Sequence, residues 1–204
     1  MGDSILNGTH GCMYCEDECN KYCLHEDARD EPIHPAYREV VGNLITMAQQ
    51  GKFQVITHGC NCFSTMGAGI APQMARAFGC DKFPLEIGMG TRGDYNKLGQ
   101  IDWRVNTHTG ATSEGDIFEF DLAVVNSYSQ YGFGLNHEGG SARPLDYDAL
   151  RLCMRKINHQ FKGRHVGLPG LIGCGLAGGN ENLVKSIIKE ELKDCKVTIV
   201  YLKK

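Results

Sequence analysis

Two glycine-rich turns constrain this chain more than any other feature. His58-Gly59-Cys60-Asn61-Cys62-Phe63-Ser64-Thr65-Met66-Gly67-Ala68-Gly69-Ile70-Ala71 and Gly170-Leu171-Ile172-Gly173-Cys174-Gly175-Leu176-Ala177-Gly178-Gly179 each join an apolar strand-like run to a helix-like run. A helix N-terminus leaves backbone N–H groups unpaired and carries partial positive charge, and glycine lets the backbone approach an anion closely. Two such turns suit a diphosphate. In open α/β sheets ligands sit beyond the carboxyl ends of the strands, so one crevice between the turns is the expected site.

The segments around the turns alternate in type. Tyr37 to Val41 is predicted as a short strand, Leu44 to Gln50 as a helical turn or two, Phe53 to His58 as a buried strand rich in β-branched residues, and Ala68 to Phe78 as a helix. Glycines at 88, 90, 93 and 99 interrupt any period, which leaves a short helix around Pro84–Met89, a loop, and a strand near Leu98–Val105. Leu122 to Ser127 is a second buried strand, followed by a glycine-rich, aromatic loop from Tyr128 to Gly140. Beyond it come a helix over Asp146–Phe161, a strand over His165–Leu168, a helix over Asn182–Leu192 and a final strand over Val197–Leu202. Strands alternating with helices mean a mixed α/β sheet covered on both faces, in three layers.

Composition narrows the classes further. A chain of 204 residues with 42% apolar content is one ordinary domain with a small appendage, expected to fold as a soluble globule. A formal charge of −3 gives no footprint for a nucleic-acid groove, because phosphate backbones are bound chiefly by clustered Lys and Arg. No run approaches the roughly 20 apolar residues of a membrane span, and residues 1–34 lack the apolar centre of a signal peptide. A cytoplasmic location is expected, in which the ten cysteines are thiols or metal ligands rather than disulfides.

The composition changes near Pro32-Ile33-His34-Pro35, which separates a Cys-rich extension, residues 1–34, from a domain over residues 35–204. The extension carries Cys12, Cys15, Cys19 and Cys23 and too few large aliphatics for a core of its own. On one continuous helix these cysteines form a stripe about 16 Å long, too extended for four thiolates to meet one ion. A turn carrying Cys12 and Cys15, with a short helix presenting Cys19 and Cys23, closes a tetrahedral zinc site, and His10 or His25 is a substitute ligand. An iron–sulfur cluster and free thiols are the alternatives. The site would fold the extension rather than run a reaction.

Two other chemistries fit part of the pattern. Gly173-x-Gly175-x-x-Gly178 fits the dinucleotide fingerprint, but the following strand runs into Leu202-Lys203-Lys204 without the acid that a nicotinamide site needs. Cys60, Cys62 and Cys174 lie near helix N-termini, where a thiolate is stabilised. A cysteine phosphatase pairs its Cys with an Arg six positions on, and here those positions hold Met66, Ala68 and Asn180. Small residues packed where the backbone turns sharply is the plainer reading of the three thiols.

From about residue 36 to Leu202 the chain resembles the macro domain, a module that binds ADP-ribose. Val41-Gly42-Asn43-Leu44-Ile45 is similar to the family's opening Gly-Asp-Ile signature, His58 to Ala71 to its catalytic loop, and Gly170 to Gly179 to its diphosphate loop. The His-x-Cys-Asn-Cys variant followed by Gly-Ala-Gly-Ile-Ala resembles the stand-alone ADP-ribose-1″-phosphate phosphatases. That resemblance implies a three-layer macro-domain fold, plus the Cys-rich extension. It also implies a ligand contact at Asn43 and Leu44 near the adenine, and Asn61 orienting the distal ribose. Gly67, Ala68, Gly69 and Ile70, with Gly173, Cys174, Gly175, Leu176, Ala177 and Gly178, would hold the phosphates. His58 matches a histidine of the phosphatase branch and is the candidate acid–base group.

Each role has a plain counterpart. His58 also fits a strand-end histidine that braces the turn, and Asn61 a turn residue that bonds its own backbone. Tyr131, with Tyr128 and Phe133, follows a strand end and would stack on the ligand or simply anchor the loop. Asp146-Tyr147-Asp148 starts a helix. The branch that cleaves ADP-ribose from glutamate uses a Lys and an Asp where this chain has Ser127 and Ala177, so the resemblance does not carry that mechanism. The expectation is a monomeric enzyme that hydrolyses ADP-ribose-1″-phosphate, with no cofactor for catalysis and structural zinc in the extension. An ADP-ribosyl hydrolase acting on protein or nucleic acid and a non-catalytic ADP-ribose-binding module are the alternatives.

Overall fold

The sheet order is set by how two classes of strand are buried. In this computed structural model, which describes residues 37–90, 93–111, 115–134 and 144–203, six strands form one sheet. They are β1 (Tyr37–Val41), β2 (Val55–Asn61), β3 (Ile101–Ala111), β4 (Ile117–Gln130), β5 (His165–Pro169) and β6 (Lys196–Tyr201), ordered β1-β6-β5-β2-β4-β3. All neighbours are parallel except the β3–β4 hairpin. The central strands are apolar on both faces, as parallel strands under helices must be.

Among the described residues five α-helices cover the sheet: α1 (Leu44–Gln49), α2 (Ala71–Phe78), α3 (Phe83–Glu86), α4 (Tyr147–Gln160) and α5 (Glu181–Glu191). Side chains alternate across the pleat, so adjacent residues of one strand enter opposite cores. Val55 packs with Leu150, Ile157 and Ile187 of α4 and α5, whereas Ile56 packs with Leu44, Met74 and Phe83 of α1, α2 and α3. Ala123 and Val125 face the first core, Leu122 and Val124 the second. Each fully buried aliphatic in these cores contributes about 1.5–3 kcal/mol, and the alternation fixes the register because a one-residue slip would expose it. The expected three layers, helices on both faces of a mixed sheet, are found.

Three of these α-helices carry side-chain caps. Asn43 Oδ1 accepts from Ile45 N and Thr46 N at 3.0 and 3.1 Å, Asp146 Oδ1 from Ala149 N at 2.9 Å, and Asn180 Oδ1 from Leu183 N at 3.2 Å. The N-cap of α2 is Ile70, which has no such group to offer.

Several boundaries differ from the sequence expectation. β2 continues through Gly59-Cys60-Asn61, residues assigned to the turn, and α2 starts at Ala71 rather than Ala68. The strand expected near Leu98–Val105 is Ile101–Ala111, preceded by a 3₁₀ turn over Tyr95–Lys97. The helix expected around Pro84–Met89 ends at Glu86, after a 3₁₀ turn over Cys80–Lys82. β4 spans 14 residues instead of the six of Leu122–Ser127, so Tyr128 is a buried strand residue and not part of the loop. The chain divides into two units, Met1–Ile33 and His34–Lys204, and the fold above belongs to the second. Cys12, Cys15, Cys19 and Cys23, with His10 and His25, lie outside the described residues.

Candidate functional site

The carboxyl ends of β2, β4 and β5 open into a cavity of about 740 Å³, inside the usual range for small-molecule sites. Both glycine turns line it. The first contributes Asn61, Thr65 and Gly67 to Ala71, the second Leu171, Ile172, Gly173, Gly175, Leu176 and Ala177. Gly59, Cys60 and Gln130 come from the strand ends, and Phe133, Gly134, Pro144 and Pro169 complete the wall.

The backbone here is rich in unspent donors. The amides of Gly67, Ala68 and Gly69, ahead of the uncapped α2, make no hydrogen bond among the described residues. In the second turn Cys174 N, Gly178 N and Gly179 N donate to Leu171 O, Gly175 O and Gly173 O at 2.9, 3.1 and 2.9 Å, and these bonds shape the loop. Gly173, Gly175, Leu176 and Ala177 are left with no backbone acceptor among the described residues. Gly173 holds φ +68°, and a Cβ on it would stand 2.7 Å from Leu145 Cδ1, so glycine is required there.

Asn61 holds the first turn together and lines the cavity at once. Its Oδ1 accepts from Phe63 N and Thr65 N, both at 3.1 Å, and its Nδ2 donates to Thr65 O at 3.0 Å. One amide proton is left to offer a ligand. The turn is anchored from below by Lys97, 2% exposed, whose ammonium donates to Cys62 O at 3.0 Å and Gly90 O at 2.6 Å. Burial lowers the pKa of this amine. Sequence reasoning missed Lys97, because a lone lysine in a glycine-broken stretch carries no pattern that marks it as buried.

His58 lies behind the wall rather than in it. The ring is fully buried and does not line the cavity. Asn126 Nδ2 donates to Cys80 O at 2.9 Å and to Asp102 Oδ1 at 2.7 Å, so Asn126 Oδ1 must accept, and His58 Nε2–H donates to it at 2.9 Å. The chain of bonds continues from Asp102 Oδ2 to the Tyr128 hydroxyl at 2.5 Å. Desolvation pushes the His58 pKa down to about 4 and raises that of Asp102 above the usual carboxylate range. A neutral imidazole with its Nε2 proton committed inside the fold has no route to a ligand in the cavity.

Other expected contacts fall outside the wall. Asn43 spends its Oδ1 on the α1 cap, and Leu44 is buried in the core beneath that helix. Cys174 and Gly178 belong to the second turn without lining the cavity, and Cys174 Sγ donates to Ile172 O at 3.4 Å. Tyr131 stacks on Tyr95 with ring centroids 3.7 Å apart, and its neighbour Phe133 takes the place in the wall. Burial pushes the Cys62 and Cys174 thiols up to about 11 and Cys60 well above its ordinary value, so none is an activated nucleophile. Among the described residues no group of three His, Cys, Asp or Glu side chains is arranged to hold a metal, and no helix is long and apolar enough to cross a membrane.

Solved structures share this arrangement. A protein of unknown function from Bacteroides thetaiotaomicron aligns at 24% identity and TM-score 0.57 over 81% of this chain and 98% of its own. A macrodomain protein from Streptomyces coelicolor aligns at 18% and 0.52 over 80% and 97%, and Thermosipho africanus DarTG in complex with ADP-ribose at 14% and 0.53 over 79% and 40%. The fold is therefore that of the macrodomains. In sequence the chain is 30% identical over 169 residues to the uncharacterized 17.5 kDa protein of the tk-vs intergenic region of Enterobacteria phage T4, covering 79% of this chain and 93% of that protein, and it belongs to the same family. No protein-family model matches it.

Proposed function

We propose that the cavity binds ADP-ribose and that the protein removes the phosphate from ADP-ribose-1″-phosphate. The observation that carries the binding is the two sets of unspent backbone amides, one from each glycine turn, lining a single cavity. They supply donors for a diphosphate without a charged side chain. Phe133 and Leu176, 53% and 78% exposed at the rim, offer apolar surface that a bound nucleotide would cover. The phosphatase reading draws on the resemblance of the first turn to that branch and on Asn61 at the strand end. In the reaction a water oxygen bonds to phosphorus, the bond from phosphorus to the 1″ oxygen breaks, and ADP-ribose leaves with a proton on that oxygen. Amide donors stabilise the charge that develops on the phosphoryl oxygens. His58 enters as a group that positions β2 through Asn126.

A second reading, an ADP-ribose-binding module, is favoured by one feature: among the described residues lining the cavity there is no Asp, Glu, His, Lys or Arg. Ser127 and Ala177 offer no acid or base either, since Ser127 Oγ is buried against Thr57 Oγ1 at 2.7 Å. Purified protein assayed in parallel against ADP-ribose-1″-phosphate, ADP-ribosylated protein and ADP-ribosylated DNA separates the readings. Titration with ADP-ribose should give micromolar affinity, about −8 kcal/mol, with AMP much weaker. Asn61→Ala should lose most phosphate release. Wild-type phosphate release from that variant would remove Asn61 from the reaction, and binding without any release would leave the module. For the extension we propose one structural zinc held by Cys12, Cys15, Cys19 and Cys23, on the strength of their number and spacing.

A further inference from the structure

Gln130 is the last residue of β4 and stands in the cavity wall. Its backbone is fixed from two sides. It pairs with Asn61 of β2, its carbonyl accepts from Cys62 N at 3.1 Å, and it bridges to Leu145, the leucine that abuts Gly173 of the second turn. The carboxamide is oriented as well. Its Nε2 donates to Gly132 O at 2.8 Å. A carbonyl oxygen only accepts, so the nitrogen must face Gly132 and Oε1 is turned away from it. Among the described residues Oε1 makes no hydrogen bond.

The cavity is rich in donors and poor in side-chain acceptors. Beside the backbone amides of the two turns, the side chains with nitrogen or oxygen that line it among the described residues are those of Asn61, Thr65 and Gln130. Asn61 Oδ1 is spent on Phe63 N and Thr65 N, so Gln130 Oε1 is the amide acceptor still open to a ligand. The oxygens of a diphosphate carry no proton at neutral pH and have no use for an acceptor, whereas a sugar hydroxyl has a proton to give. The topology agrees. The turns follow β2 and β5, neighbours in the sheet, and β4 lies on the far side of β2. A diphosphate held between the turns therefore leaves Gln130 to meet one end of the ligand. That end is the one beside Asn61, whose remaining amide proton complements the Gln130 acceptor.

We propose that Gln130 is a specificity residue whose Oε1 accepts a hydrogen bond from a terminal-ribose hydroxyl of the ligand. The proposal rests on the ADP-ribose reading of the cavity. Calorimetric titration of the full-length protein with ADP-ribose and with ADP, which lacks the terminal ribose, tests it through the ratio of the two affinities. Gln130→Met keeps the length of the side chain and removes the acceptor, and it should weaken ADP-ribose about tenfold while leaving ADP unchanged. Gln130→Glu keeps the acceptor but cannot donate to Gly132 O. Its charge opposes the diphosphate of both ligands, so both should weaken while their ratio stays near that of wild type. A glutamine that only braced the loop through Gly132 would change the ratio equally in the two variants. That result, or an unchanged ratio in Gln130→Met, or equal loss of ADP and ADP-ribose there, overturns the proposal while the cavity reading stands. Wild-type protein that binds neither nucleotide overturns both.

Discussion

At the scale of the residue, His58 shows how depth changes chemistry. A histidine opening a glycine turn has the residue type of an acid–base catalyst, and in the fold it is a neutral donor locked to Asn126. Its pKa of about 4, against an ordinary 6.5, means that below pH 6.5 the unfolded chain takes up a proton the native one refuses. The stability this group contributes is thus present above about pH 6.5 and lost as pH falls towards 4, a loss of about 3 kcal/mol. His165, also pushed down to about 4 by burial and by the nearby Lys196 and Arg38 charges, acts in the same window. Urea unfolding of wild type and His58→Gln across pH 4 to 7 should show a shallower pH slope in the variant, and equal slopes would assign the acid sensitivity elsewhere. Asn61 differs from His58: it bonds its own turn and also lines the cavity.

At the scale of the element, the second glycine turn can be tested one residue at a time. A Cβ on Gly179 would stand 2.6 Å from the backbone oxygen of Gly173 and 2.4 Å from Leu145 Cδ2, and neither the loop backbone nor the packed leucine can easily yield. Gly179→Ala is expected to cost about 1–3 kcal/mol, as overpacking does. Gly175 has nothing within 4 Å of its Cβ position and no positive φ, so Gly175→Ala should change stability by less than about 0.5 kcal/mol while crowding the cavity. Chemical denaturation of the two variants checks the contrast, and equal losses would contradict it. The strands show why some elements were longer than their sequence signal. β4 begins with residues Ile117–Asp121, which alternate half-buried and exposed, and near its other end lie Asn126, Ser127 and Tyr128, whose polar groups are buried because Thr57, His58 and Asp102 bond them. Local hydrophobicity marks neither end.

At the scale of the whole molecule, the domain has two apolar cores, and the zinc proposed for the extension is tested separately. Metal analysis of protein purified without chelator should find about one zinc per chain. That zinc should be absent from a Cys15→Ser/Cys19→Ser variant that still binds ADP-ribose. Freely titrating thiols without zinc would end that reading, and visible absorbance would replace it with iron–sulfur. Within the domain, strand–helix alternation and apolar runs sufficed to establish a three-layer α/β fold, because burial on both faces of a parallel strand is written in contiguous residues such as Val55 and Ile56. The glycine turns were equally legible, since sharp loops between strand and helix depend on local backbone freedom. What the turns enclose was not. The cavity exists because β5 lies beside β2 in the sheet, bringing together turns about a hundred residues apart. The same packing seals His58, buries Lys97 beneath the first turn and withdraws Asn43 to a helix cap. Residue type and spacing determine which groups a chain can offer, but burial and partnership depend on neighbours distant in sequence, and only the tertiary structure brings those neighbours into contact.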